Sequence, residues 1–170
     1  DWSDSETHHP GWHSQWPDTS TESNSKGKVK AENGKLTGNN NFYIVLDEAK
    51  TVDQVDIYGS WFNDAPGNGS VKTCKIYVSD QEVTSNSPEG VEWTLAFDNT
   101  ATDGFTYADE KDLRKSAQFS APQANVKSIK LEYVTAFANV ASAWEIFVHT
   151  VTGQEPEQKP VEIANIFAES

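Results

Sequence analysis

The chain has one cysteine, Cys74, so no internal disulfide framework holds it together. It is also short of basic residues: 13 Lys and Arg stand against 26 Asp and Glu, a net charge of −13. That balance excludes the basic patch that nucleic acid and anionic lipid both require. No apolar run approaches the length of a membrane span. Neither a GxSxG nucleophile elbow nor an HExxH pair occurs, and no other motif argues for catalysis. There is no internal repeat, and no stretch sustains a 3.6-residue period; 108–117 has room for one helical turn at most. No secretory leader is visible and the chain starts at Asp1 without Met, which leads us to expect a mature or excised piece.

What is present is a series of short alternating runs. They are FYIVLD (42–47), VDIYG (55–59), CKIYVS (74–79), VEWTLAFD (91–98), AQFSA (117–121), SIKLEYV (128–134) and WEIFVH (144–149). Each has the period of two of a half-buried strand, with Phe42, Ile44 and Leu46, or Trp93, Leu95 and Phe97, on one face. Cys74 alternates with Ile76 and Val78, which places a buried, inert thiol there. Turn-forming stretches such as DAPGNGS and SNSPEG separate the runs. Many short strands without covering helices predict an all-β fold, an antiparallel β-sandwich. The 170 residues divide into a sandwich domain at 1–151, an extended linker at 152–160 and a last apolar run within 161–170. An acidic surface rich in Trp, Tyr, Asn and Ser suits an extracellular protein with a neutral, polar ligand.

Five stretches then follow in a fixed order: WHSQW, FYIVLDEAKTVDQVDIYGSW, NGSVKTCKIYVSD, VEWTLAFDN and VKSIKLEYVTAFANVASAWEIFVH. Over roughly residues 4 to 150 this order resembles the discoidin, or coagulation factor type C, superfamily, nearest to the family 32 carbohydrate-binding modules of bacterial glycoside hydrolases. The resemblance implies an eight-stranded jelly roll of the galactose-binding-domain type, non-catalytic, gripping a glycan with loops at one end. It implies a bacterial, secreted or cell-surface protein whose partners are a neutral glycan, of galactose, N-acetylhexosamine or fucose type, and other modules of the same polypeptide. It also implies a structural calcium. SDSET would then be a compressed aspartate-rich loop, with Asp4, Glu6 and Thr7 acting together with Glu145 of AWEI, hard oxygens of the kind calcium takes. The usual Asp-Gly pair is missing from that loop, and the bland alternative is a solvated acidic terminus. His8 and His9 make a poor zinc pair, since neighbours in extended chain point apart.

A sugar needs an aromatic face and planar polar groups. The family's histidine and arginine positions read Asn41 or Phe42 and Ser60 or Trp61 here, so both principal hydrogen-bonding residues are absent. In their place SWFNDAPGN sets Trp61 and Phe62 side by side with Asn63, one of the two rings expected inward and the other outward. Trp61 is the expected platform. Phe137 with Asn139 in TAFANVAS, and Phe105 with Tyr107 in TDGFTYAD, are the other candidates. Trp12 and His13 are expected to plug the base of the sandwich. The competing reading is a structural or adhesion domain without a sugar of its own. Finally, the apolar run VEIANIF (161–167) is expected either to pair within this sheet or a neighbouring copy, or to begin a following module.

Overall fold

The computed structural model describes residues 12–13, 30–32, 35–37, 41–85, 87–138, 141–151 and 163–168. Among these residues all regular structure is β-strand. Two strands carry the fold: β4 (Asn41–Tyr58) and β9 (Arg114–Ala136), paired antiparallel along most of their length. Each fuses two of the runs read from sequence. The β4–β9 register shifts repeatedly between Val45 and Gln54. There Asp47, Glu48 and Ala49 of one strand and Ser120, Ala121 and Pro122 of the other are exposed, and Asn125 takes a left-handed φ of 56°. Irregular pairing of this kind bends both strands at once and turns a corner between two sheets.

On one side of the corner, β12 (Ile163–Ala168), β4, β9, β7 (Val71–Ser79) and β8 (Thr94–Asp98) lie in that order. On the other, β11 (Glu145–Thr150) joins β4 and β9 in a three-stranded sheet. Phe42, Ile44, Leu46, Ile76, Ile129 and Leu131 from the first sheet share one buried cluster with Val55, Ile57, Phe119, Ile146 and Val148 from the second. The two sheets therefore face each other across one core, the antiparallel sandwich expected from the alternation. Cys74 lies in that core, fully buried, where desolvation pushes its thiol up. Smaller pairs complete the frame. β1 (Trp12–His13) pairs with β10 (Ser142–Ala143), and β2 (Lys30–Glu32) forms a hairpin with β3 (Lys35–Thr37), which meets β9 at Thr135.

Two details depart from the half-buried pattern. Tyr43 and Val45, on the outer face of β4, are buried as well, because Val83, Val91, Trp93 and Phe167 pack over them. The backbone N–H of Val83 donates to Ser128 Oγ at 2.9 Å and pins that cover. In β8, Ile76 pairs with Phe97 but Tyr77 pairs with Leu95, so Ala96 is an extra residue. This bulge turns Ala96 and Phe97 toward the core and leaves Leu95 49% exposed, while Trp93 joins the outer cluster. Trp93, Leu95 and Phe97 therefore do not share a face.

The three-stranded sheet is pinned on its outer side by a fully buried carboxylate. Asp56 of β4 accepts hydrogen bonds from Arg114 Nε of β9 (2.7 Å) and Nη2, from Gln54 Nε2 (2.8 Å), and from His149 Nε2 of β11 (2.5 Å). Burial pushes the Asp56 carboxyl up, but donors from Gln54, Ser116, Arg114 and His149 outweigh it and hold it below the ordinary carboxylate range. A carboxylate with a depressed folded pKa contributes stability above its unfolded pKa and loses it as pH falls through the folded one. Asp56→Asn should therefore cost about 2 kcal/mol near neutral pH, the half-exposed Arg114 keeping it at the low end for such pairs. Urea unfolding should show the difference from wild type shrinking below about pH 4; a difference constant with pH contradicts the assignment.

The last strand lies where the first sheet would otherwise end. β12 pairs with β4 from Ile163↔Leu46 to Ala168↔Phe42. β11 occupies the same edge of β4 further along, at Glu145↔Tyr58 to Thr150↔Val52, and runs in the same direction. The chain thus returns to the edge it left; the linker 152–160 lies outside the described residues. Ile163, Ile166 and Ala168 pack against the main core and Phe167 against the outer cluster. Deleting 161–170 should lower the unfolding free energy by about 3 kcal/mol, from partial burial of three large side chains at about 1 kcal/mol each. A truncated chain that unfolds in denaturant with the full one would contradict this.

Candidate functional site

At one end of the sandwich three loops, 59–70, 99–113 and 137–143, are tied to one another. Gly69 N–H donates to the Phe137 carbonyl (2.6 Å), Phe137 N–H to the Ser70 carbonyl (3.0 Å) and Ser142 N–H to the Gly69 carbonyl (3.0 Å). Gly59 N–H donates to the Leu113 carbonyl (3.0 Å) and Phe105 N–H to the Lys72 carbonyl (2.7 Å). Two glycines make this closeness possible. A Cβ at Gly59 would come within 2.6 Å of the Tyr107 ring, and Gly69, at φ 85°, abuts Ser142.

From this base a short hairpin projects. β5 (Trp61–Phe62) pairs with β6 (Ala65–Pro66), closed below by Gly67 N–H donating to the Ser60 carbonyl at 2.8 Å. The two turn residues, Asn63 at φ 51° and Asp64 at φ 59°, both adopt the left-handed region. This is the requirement of a type I′ turn, and Asn and Asp tolerate it best after glycine. The tight turn fixes the alternation of the strand before it. Phe62 stands outward, 72% exposed, and Trp61 is half-buried. Of the two candidate rings Phe62 is the more exposed, and Asn63 beside it is exposed too.

The other aromatic candidates divide. Phe137 is half-buried and meets Tyr107 edge-on at 5.6 Å. The residue after it, Ala138, is held at φ 66°, a conformation that costs a non-glycine residue about 1–2 kcal/mol. Tyr107 stands beneath the loops as a pillar. It is buried, its hydroxyl donates to the Val71 carbonyl at 3.0 Å, and the Lys115 ammonium sits 4.5 Å above its ring. Desolvation pushes its phenol well up. Phe105 is half-buried and stacks on Phe97, with centroids 6.2 Å apart and planes 3° from parallel, so one of its faces is taken. Asn139 lies outside the described residues.

Of the calcium candidates, Asp4, Glu6 and Thr7 also lie outside the described residues. Glu145 is exposed at the start of β11, opposite Tyr58. The pairing of Trp12 with Ala143 brings the opening stretch alongside the chain two residues before Glu145. Among the described residues no group of three or more His, Cys, Asp or Glu side chains is assembled for a metal.

No family model and no curated protein matches this chain. Solved structures do. The family 32 carbohydrate-binding module of Clostridium perfringens NanJ, determined in complex with galactose, aligns with a TM-score of 0.52 at 17% identity, over 82% of this chain and 76% of that one. A family 32 module from a family 31 glycoside hydrolase of Clostridium perfringens aligns at 0.48 and 19% identity, over 71% and 92% of the two chains. The F5/8 type C domain of a Bacteroides fragilis protein aligns at 0.47 and 17% identity, over 82% and 72%. The likeness to the first shows the fold: this chain is an antiparallel β-sandwich built like that module.

Proposed function

We propose that this domain is a non-catalytic carbohydrate-binding module that presents the 60–68 hairpin to a neutral glycan. The observation that carries the reading is Phe62, 72% exposed beside the two-residue turn of a short hairpin. Leaving a phenylalanine in water forgoes about 2 kcal/mol of burial, so an outward ring on a rigid support is a stacking face awaiting a partner. Phe137, tied to Gly69 and Ser70 at the base of the same loops, would add an apolar surface, and the exposed Asn63 an amide for hydroxyls. The net charge of −13 favours a neutral ligand over an acidic one. The fold is shared with a module solved with galactose, and galactose, N-acetylhexosamine and fucose are the sugars to try first. An open hairpin suits binding better than chemistry, which needs water excluded. A shallow face gives affinity on the order of 0.1–1 mM, which a secreted or cell-surface bacterial enzyme or adhesin raises by carrying several modules.

Truncating a stacking ring costs about 1–3 kcal/mol in other stacking systems. Phe62→Ala should therefore weaken glycan binding at the hairpin by about 5- to 150-fold, while unfolding free energy changes by less than about 0.5 kcal/mol, as for surface substitutions. Glycan titration followed at the amides of 60–68, together with urea unfolding, checks both; wild-type affinity there in the variant would contradict the platform. A calcium held by Asp4, Glu6, Thr7 and Glu145 belongs to the same proposal, as a tie between the opening stretch and β11. Chelation should then lower the melting temperature and added calcium restore it by mass action, with glycan affinity little changed. A melting curve indifferent to both would remove the ion.

A further inference from the structure

The outer face of the three-stranded sheet carries a second set of groups suited to a sugar, at residues the hairpin does not involve. The register places Glu145, Tyr58 and Arg114 in one row across the sheet. Phe147, Asp56 and Ser116 form the next, and His149, Gln54 and Gln118 the third. Their neighbours Val55, Ile57, Ala117, Ile146 and Val148 are buried in the core, so all nine face outward. Strand spacing and rise make this grid about 10 Å by 14 Å, the footprint of one or two pyranose rings. Arg114, Ser116, Gln118 and Glu145 are exposed there.

Arg114 is the single arginine of the chain. Its Nε and Nη2 bond the buried Asp56, and Nη2 also lies 3.2 Å from His149 Nε2. The guanidinium carbon sits 6.0 Å from the Tyr58 ring centre and 5.8 Å from that of Phe147. The two rings meet edge-on at 5.8 Å. A guanidinium held so is a planar donor already fixed in place, which a lysine would not provide. Its charge is cancelled at contact by Asp56, on a chain of net charge −13, so an anionic ligand is disfavoured. What the face offers is donors, acceptors and two ring edges with no unmatched positive charge: the complement of a neutral, hydroxylated ring. We propose that this face is a second saccharide-contacting surface, with Arg114 as its positioned donor. The ligand class rests on the glycan reading above; the residues do not.

One arginine gives one Nε–H resonance, which makes the test direct. The full chain is titrated with galactose, N-acetylgalactosamine and fucose, following that resonance and the amides of 60–68. A saturable shift at Arg114, retained in Phe62→Ala, and a calorimetric affinity weakened at least tenfold when Arg114→Lys is added to Phe62→Ala, are the expected results. The lysine keeps a positive charge for Asp56, so an effect on binding with folding intact separates donor from clamp. Saturable shifts at 60–68 with the Arg114 resonance unmoved would overturn the second surface and leave the first standing. Shifts at neither place with any of the three sugars would overturn both.

Discussion

The pairing of Asn41–Tyr58 with Arg114–Ala136 through one shared corner is the constraint on which the rest of the structure depends. Because both strands bend at the same place, one half of the pair belongs to a five-stranded sheet and the other to a three-stranded sheet. The core closes between them with residues from all the strands concerned. The corner also fixes where loops gather. Tyr58 and Arg114 end their strands side by side, so the 59–70 and 99–113 segments leave the sandwich together. Tyr107, bonded to the Val71 carbonyl and wedged against Gly59, holds them there. A hairpin standing on that base can be rigid although it is exposed.

Rigidity matters because a single shallow face has little free energy to spend. On the proposed function, an ordered ring would lose little entropy on meeting a sugar, and the left-handed pair Asn63 and Asp64 sets the direction of Phe62 beforehand. The Asp56 cluster acts likewise on the outer face of the small sheet, where it ties three strands and orients one arginine. Both surfaces are built on strands, one at an end of the sandwich and one across it. If both proposed surfaces bind, their different orientations would let one domain hold two points of a branched or clustered glycan, and linked copies would multiply the effect.

Much of the fold was legible in the residues. The alternation of Phe42, Ile44 and Leu46 marks a core-facing strand, and the ordered runs are enough for a sandwich. Periodicity could not reveal that neighbouring runs are one bent strand, since a corner of exposed residues reads like a loop. Nor could it reveal the extra residue at Ala96, because a bulge reverses the alternation without a marker of its own. The site was legible to the level of the loop. Alternation says that one of Trp61 and Phe62 faces out; the Asn63-Asp64 pair is the signal that a two-residue turn follows, and only the folded hairpin decides the face. Tyr107 misleads because a buried tyrosine and a sugar-stacking one share the same sequence context. Arg114 sits in no motif, although a lone arginine among lysines is visible without any structure.

The central claim is that this sandwich binds glycans. Its most direct measure is retention of the biotinylated chain, tetramerised on streptavidin to offset weak single-site affinity, on an array of immobilised neutral and acidic glycans. The account predicts retention on a subset of neutral glycans, competed by the corresponding free sugar and absent from acidic ones. Retention on none of them, or on acidic glycans alone, would contradict it.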